Sequence, residues 1–72
     1  MHYTTRLRNI REDKDLTQKE IAAVLKMKQE QYHRYESGKR ALPLEHLMAL
    51  CKYYNLSADY LLGFTDEERP LK

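Results

Sequence analysis

Apolar residues along this chain recur at intervals of three and four, in short blocks that polar or glycine-containing segments separate. This spacing is typical of helices that bury one face, and the sustained two-residue alternation of half-buried strands is absent. Leu7 and Ile10 share one face of a first predicted helix over about residues 5–13, with Arg11 on the same face. The pattern therefore predicts a domain built of helices alone.

A second helix is predicted from Thr17 to about Leu25. The Thr17 hydroxyl and the Glu20 carboxylate have the spacing of a capping box, in which each side chain accepts a hydrogen bond from the other residue's backbone N–H. Leu16 before the cap and Ile21 inside the helix fit the hydrophobic staple that often accompanies such a box. The start of this helix is therefore encoded locally.

A third helix is predicted over about residues 28–36, and Gly38 ends it because glycine readily takes the left-handed cap conformation. A fourth helix begins at Pro43, with Asn55 as its left-handed stop. Ser57 then caps a short fifth helix that Gly63 closes.

The fourth helix is predicted to bury a stripe of residues at helical spacing: Leu47, Leu50, Cys51 and Tyr54. Tyrosines at helical spacing are expected in the core, with hydroxyls reaching its rim: Tyr32, Tyr35 and Tyr54.

Basic residues concentrate in the middle of the chain. The 72 residues carry 13 Lys+Arg and 11 Asp+Glu, which gives one small domain a net charge of +2. Residues 26–40 hold five basic and two acidic groups, whereas residues 41–72 hold three basic and five acidic groups. Such asymmetry suggests one face that binds a polyanion, although charge clusters are also common on ordinary solvated surfaces.

The sequence lacks the residues that several classes of function require. A single Cys excludes an intrachain disulfide, and the histidines and Cys51 lack the paired spacing of zinc sites, so we expect no metal and no cofactor. No apolar run approaches the roughly 20 residues of a membrane span, and no signal-peptide core begins the chain. We therefore expect a cytoplasmic protein without a membrane partner. No arrangement of titratable groups resembles an active site, and no small-molecule ligand is evident, so an enzyme is not expected.

Three segments together carry a family resemblance: Leu-Thr-Gln-Lys-Glu-Ile-Ala-Ala-Val-Leu at 16–25, Tyr-His-Arg-Tyr-Glu-Ser-Gly-Lys-Arg at 32–40, and Asn-Leu-Ser-Ala-Asp-Tyr-Leu-Leu-Gly at 55–63. With them the chain resembles, over roughly residues 5–64, the Cro/CI-type (XRE-like) helix-turn-helix family of bacterial and phage transcriptional regulators. The resemblance implies a compact five-helix, lambda-repressor-like DNA-binding domain whose third helix enters the major groove. We assign this domain to residues 1–66 and a short polar C-terminal tail to residues 67–72.

The resemblance also implies a set of DNA contacts on and around the third helix. The contacts expected with base edges are Gln29, Glu30, His33 and Arg34. The contacts expected with the DNA backbone are Gln18, Lys28, Lys39 and Arg40. Glutamine can bond bidentately to adenine and arginine to guanine, whereas a carboxylate can accept from cytosine. Taken one at a time, each of these residues could equally be an ordinary polar group on an exposed helix.

Arg11 and Glu36 both lie on apolar faces, and the resemblance implies that they form a structural ion pair between the first and third helices.

Two positions depart from the family's pattern. Lys26 stands in the turn where glycine is commonest, which would cost stability if that residue has a positive φ. Lys28 stands where a serine or threonine cap would be expected, so the third helix lacks its best capping residue.

The sequence thus favours a sequence-specific double-stranded DNA-binding transcriptional regulator, expected to be a repressor that contacts the major groove with helix 28–36. A single small domain contacts few base pairs, so we expect a weak homodimer on a pseudo-palindromic operator. Its apolar contact would come from the C-terminal region: Leu61, Leu62, Phe64 and Leu71, with burial of Leu61 and Leu62 in the core as the alternative for those two. The alternative is a protein-binding antitoxin-like or anti-repressor module, which would expose a large apolar patch. The Met1 start and the polar tail favour a complete small regulator slightly over a fragment of a larger one, and both alternatives stay open.

Overall fold

The helices of this chain begin and end close to where the sequence predicts. A computed structural model describes residues 2–71 and contains, in chain order, α1 (Tyr3–Asp13), α2 (Gln18–Val24), α3 (Gln29–Glu36), α4 (Leu44–Tyr54) and α5 (Ala58–Leu61). Within residues 2–71 no strand is formed, so the prediction of an all-α, five-helix domain is confirmed. None of these five helices is long and apolar enough to cross a bilayer.

Side-chain caps set the starts of the first two helices. α1 begins two residues earlier than predicted, because His2 Nδ1 accepts a hydrogen bond from the Thr4 backbone N–H at 3.2 Å. The capping box of α2 is confirmed: Thr17 Oγ1 accepts from the Glu20 N–H at 3.1 Å, and Glu20 Oε1 accepts from the Thr17 N–H at 3.0 Å. Lys28 at the start of α3 makes no side-chain capping bond, as expected from its residue type.

Each of the five helices ends at or just before a residue with left-handed backbone: Asp15, Lys26, Gly38, Asn55 and Gly63. The turn between α2 and α3 shows why this conformation is required. The Lys26 N–H donates to the Ala23 carbonyl at 3.1 Å, and the Met27 N–H donates to the Ala22 carbonyl at 2.9 Å. These two bonds make a Schellman motif, which places Lys26 at φ 58° where glycine is usual. The condition under which a lysine at this position costs stability is therefore met.

The core takes one fully enclosed side chain from each helix: Leu7, Ile21, Tyr32, Leu50 and Leu61. The predicted stripe of α4 is buried at Leu50, Cys51 and Tyr54, and Leu47 packs against it while partly exposed. The expectation that the Tyr32 and Tyr54 hydroxyls reach the rim is wrong. Both oxygens are enclosed, and burial raises the pKa of both phenols well above the ordinary value.

A buried arginine joins α1 to the C-terminal segment. The Arg6 side chain is only 5 % exposed, and its guanidinium lies 4.1 Å from the centre of the Tyr60 ring. It donates to the Tyr60 and Thr65 carbonyls, each at 3.1 Å, and to Asp66 Oδ1 at 2.8 Å. Arg6 therefore binds one carbonyl within α5 and one beyond its end, and holds this segment against α1.

The end of the described chain turns back to the junction of α4 and α5. The Ser57 N–H donates to the Arg69 carbonyl at 2.9 Å, and the Leu71 N–H donates to the Asn55 carbonyl at 3.3 Å. Part of the segment assigned to the polar tail is thus hydrogen-bonded to the domain. Met1 and Lys72, which the predicted division of the chain also includes, lie outside the described residues.

The strain at Lys26 predicts a stabilising substitution. Lys26→Gly should raise the free energy of unfolding by about 1 kcal/mol, because glycine takes the positive φ of this Schellman motif without the Cβ penalty. The matched control is Lys52→Gly within α4, which should lower the free energy of unfolding by roughly 1 kcal/mol, since glycine is a poor helix former. Urea denaturation of both variants measures these changes. If Lys26→Gly lowers the free energy of unfolding, the contacts of the lysine side chain stabilise the fold by more than the strain of its backbone destabilises it.

Candidate nucleic-acid interface

The outer side of α3 exposes all four residues predicted to contact bases: Gln29, Glu30, His33 and Arg34. The inner side of the same helix buries Tyr32, Tyr35 and Glu36. This division follows from the helical period, because residues three and four apart share a face. Burial of the inner residues therefore fixes which side chains α3 presents to solvent.

Two shallow depressions meet along α3 and bring the predicted contacts together. One is lined by Gln18, Gln29, Glu30, His33, Arg34 and Lys39. The other is lined by Lys28, Glu30, Gln31, Arg34, Tyr35 and Arg40. Glu30 and Arg34 line both depressions, so the two form one continuous surface. All eight residues predicted to contact DNA lie on this surface, which we call the α3 face.

The basic residues of the α3 face are all exposed: Lys28, Arg34, Lys39 and Arg40. The ion pairs found within residues 2–71 are made by Arg6, Arg11 and Arg69 instead. The Arg40 N–H donates to the Arg34 carbonyl at 3.1 Å, which folds the segment after α3 back onto the end of the helix. The result is a positive surface flanking the exposed polar side chains of α3.

Behind the α3 face, Arg11 of α1 and Glu36 of α3 form an ion pair. Arg11 Nη2 lies 2.8 Å from Glu36 Oε1, and Arg11 Nε lies 3.0 Å from Glu36 Oε2. The Arg11 side chain is 12 % exposed and the Glu36 side chain 2 % exposed. Arg11 Nη1 also donates to the Leu16 carbonyl at 2.8 Å, so one guanidinium holds α3 and the connection between α1 and α2 together.

The hydrogen bonds to Glu36 decide its charge state. Burial on its own would raise the pKa of this carboxyl, but hydrogen bonding and charge from Arg11, with contributions from the Tyr32 hydroxyl and from Gln18, outweigh burial and leave the pKa below its ordinary value. The pKa of Arg11 is raised in turn by its hydrogen bond to Glu36. Glu36 is therefore a carboxylate at neutral pH, able to accept hydrogen bonds and unable to donate one.

Gln18, the first residue of α2, connects this ion pair to the α3 face. Its Nε2 lies 3.4 Å from Glu36 Oε1, and its Oε1 lies 3.3 Å from His33 Nδ1. The side chain is half-buried, in contrast to the exposed residues of α3. Both ends of the amide are thus engaged with protein groups, and a phosphate contact from Gln18 stays a prediction.

Sequence reasoning did not single out Gln31, which lines one of the depressions and donates through Nε2 to the Tyr35 hydroxyl at 3.3 Å. Its position on the exposed side of the predicted third helix was the signal that could have identified it.

Nucleophilic chemistry and metal binding have little support among the described residues. Cys51 is buried, and that burial raises the pKa of its thiol. The described residues contain no cluster of three or more His, Cys, Asp and Glu side chains able to hold a metal ion.

Two short helices, α2 and α3, pack against each other and are joined by a tight turn, which defines a helix-turn-helix. Residues 7–61 match the helix-turn-helix family, and the chain belongs to that family. It is also 35% identical, over 68 residues, to the uncharacterized HTH-type transcriptional regulator YobD of Bacillus subtilis (strain 168). That alignment covers 94% of this chain and 61% of YobD, so the chain spans less than two thirds of that relative's length. No solved structure matches significantly.

The buried ion pair predicts a large loss of stability when one partner is removed. Glu36→Ala leaves Arg11 buried without its carboxylate and should lower the free energy of unfolding by about 3–5 kcal/mol. The matched control is Glu67→Ala, which breaks the exposed Glu67–Arg69 pair and should leave the melting temperature nearly unchanged. Thermal and urea denaturation measure both. A Glu36→Ala protein that melts within about two degrees of the parent would contradict a structural role for the pair.

The lowered pKa of Glu36 also predicts how stability depends on pH. Because the carboxyl has a lower pKa in the folded than in the unfolded chain, its contribution is fully present above the ordinary value of 4.5. That contribution is lost as the pH falls through the folded-state pKa. Urea denaturation of the parent and of Glu36→Gln over this range should show a steeper acid loss in the parent. Equal pH slopes in the two proteins would contradict the lowered pKa.

Proposed function

We propose that this protein is a sequence-specific double-stranded DNA-binding transcriptional regulator, acting as a repressor, that inserts α3 into the major groove. One observation carries the proposal: eight exposed or half-exposed residues, four of them basic, lie on the continuous α3 face of a helix-turn-helix. An α-helix fits the major groove of B-DNA, and its exposed side chains then reach base edges. The α3 face offers both amide and guanidinium groups for this purpose.

In this proposal Gln29 and Arg34 make the principal base contacts, with Glu30 and His33 beside them. A bidentate contact from Gln29 would favour adenine, and one from Arg34 would favour guanine, each worth roughly 1–3 kcal/mol of discrimination. Glu30 would accept from a cytosine amino group, which offsets its repulsion from phosphates. Lys28, Lys39 and Arg40, together with Gln18, contact phosphates and set the register.

A homodimer on a pseudo-palindromic operator completes the proposal, because two half-sites supply the specificity that one small domain lacks. The structure corrects one part of the expected contact, since Leu61 is fully enclosed in the core and offers no surface to a partner. Phe64 and Leu71 are exposed, as are Leu44 and Met48 of α4. We assign the weak dimer contact to exposed apolar side chains of the C-terminal region, with α4 beside them.

The same exposed apolar side chains are what the alternative function, a protein-binding antitoxin-like or anti-repressor module, would use. The two functions differ in what they require of the α3 face. A DNA-binding regulator needs its exposed basic groups, whereas a module that binds only a protein through α4 leaves them unused. We favour DNA because four exposed basic groups converge on one face, and an enzymatic role has no comparable support.

Selection from a pool of random duplexes at near-physiological salt tests the proposal. The expected result is an enriched pseudo-palindrome, and reporter transcription from a promoter containing that sequence should fall when the protein is expressed. Retention without any shared sequence would indicate binding to the backbone alone. If no duplex is retained, the DNA-binding proposal is wrong and the protein-binding alternative takes its place.

Variants of the α3 face should separate base contacts from phosphate contacts. Gln29→Ala and Arg34→Ala should each relax the preference at single positions of the selected site, at a cost of about 1–3 kcal/mol. Lys39→Ala should weaken all sequences alike and reduce the salt slope by about 1. Lys14→Ala, which removes an exposed lysine after α1 outside the α3 face, is the matched control and should leave binding unchanged. Equal effects of Lys39→Ala and Lys14→Ala would contradict the assigned orientation.

A further inference from the structure

The Glu36 carboxylate fixes the orientation of the Gln18 side chain. Arg11 donates to both carboxylate oxygens of Glu36, which keeps the group ionised and leaves it able only to accept. The half of the Gln18 amide that faces Glu36 at 3.4 Å must therefore be the donating NH₂ group. A flipped amide would set its carbonyl oxygen against a buried carboxylate. The Gln18 Oε1 atom is consequently held on the side of His33.

This orientation fixes which nitrogen of His33 carries the proton. Gln18 Oε1 is an acceptor only, so His33 Nδ1, 3.3 Å away, must be the donor. A neutral imidazole carries one proton, and the hydrogen bond made by one nitrogen decides the state of the other. His33 Nε2 therefore has a lone pair when the ring is neutral and an N–H when the ring is protonated. None of the hydrogen bonds found within residues 2–71 uses this nitrogen, and the side chain is exposed.

Groups of both signs surround the His33 ring. From α3 itself come Glu30 and Arg34, and from the segment that follows comes Lys39, all of which share a depression with His33. From α2 the facing group is the uncharged amide of Gln18, and behind it lies the ionised Arg11–Glu36 pair. Because the pKa of Glu36 lies below its ordinary value, that pair stays ionised throughout the range in which a histidine titrates. The amide orientation therefore does not change when His33 gains a proton.

We propose that Gln18 is a positioning residue that sets the tautomer of His33, and that His33 determines base preference in a pH-dependent way. The second half of this proposal rests on the proposed function. Neutral His33 would accept at Nε2 from an exocyclic amino group, which adenine and cytosine present in the major groove. Protonated His33 would instead donate from Nε2, which suits the O6 and N7 acceptors of guanine. One position of each half-site thus prefers a different base when the ring is neutral and when it is protonated.

The tautomer can be tested without DNA, by long-range nitrogen–proton correlation spectra of the histidine rings at about pH 8, where histidine is mostly neutral. His33 should show a protonated Nδ1 and an unprotonated Nε2. His2 is an internal reference with the opposite tautomer. Its Nδ1 accepts a hydrogen bond from the Thr4 N–H, so the proton of its neutral ring must lie on Nε2. A His33 ring with the proton on Nε2 in the parent protein overturns the proposal.

Two glutamine variants show whether Gln18 is the cause. Gln18→Met keeps the length of the side chain, removes the acceptor, and should return His33 toward the Nε2–H form that free imidazole side chains favour. Gln31→Met is the matched control, because Gln31 bonds the Tyr35 hydroxyl and makes no contact of this kind with His33. It should leave the His33 spectrum unchanged. A His33 tautomer that survives Gln18→Met contradicts the positioning role.

The consequence for recognition is tested by repeating the duplex selection at about pH 8 and about pH 5.5, on either side of the usual histidine titration. One position per half-site should shift its relative preference toward guanine at the lower pH, by roughly tenfold, the equivalent of one hydrogen bond to a charged group. The shift should be absent in His33→Gln. A uniform rise in affinity for all duplexes, or a shift that persists in His33→Gln, overturns the specificity role. Failure to select any sequence at either pH would instead count against the proposed function, and the ring spectra would still decide the tautomer.

Discussion

The placement of α3 depends on one buried ion pair. Arg11 from α1 and Glu36 from α3 are bonded through three atom pairs at 2.8, 3.0 and 3.2 Å, while Gln18 from α2 approaches the same carboxylate. Removing two charges from water costs several kcal/mol, and only the multiple hydrogen bonds of this arrangement offset that cost. Because these bonds are directional, they restrict the angle and depth of α3 more tightly than apolar contacts of the same area would. A helix that inserts into a groove of fixed width requires this restriction.

Two groups of basic residues have different roles in this structure. Arg6 and Arg11 are enclosed and bind carbonyls or carboxylates of the protein itself, so they contribute to folding. Lys28, Lys39 and Arg40 are exposed around α3, where nothing within the described residues neutralises them by an ion pair. A net charge of +2 conceals this separation. The potential that attracts a polyanion comes from the second group, and its effect is concentrated on one face.

Much of the fold could be predicted because its signals are local. The capping box of Thr17 and Glu20 and the left-handed stop at Asn55 involve neighbours within a few residues, so the sequence alone specifies them. Arg6 shows the limit of such reasoning. Its partners lie 54 to 60 residues away, and nothing around it in the chain distinguishes a buried arginine from a solvated one. The enclosed Tyr32 and Tyr54 hydroxyls were missed for the same reason, since the depth of a side chain in the core depends on every helix packed over it.

The candidate site shows the same division. Helical period and family resemblance sufficed to name most residues of the α3 face, though not Gln31, whereas the link from Glu36 through Gln18 to His33 depends on the relative positions of α2 and α3. The central claim is that α3 enters the major groove, and amide shift mapping on a selected duplex tests it most directly. The account predicts the largest changes at Gln29, His33, Arg34 and Lys39, with intermolecular contacts from the α3 side chains to base protons. Contacts confined to α4 or the C-terminal segment, with α3 unperturbed, would contradict it.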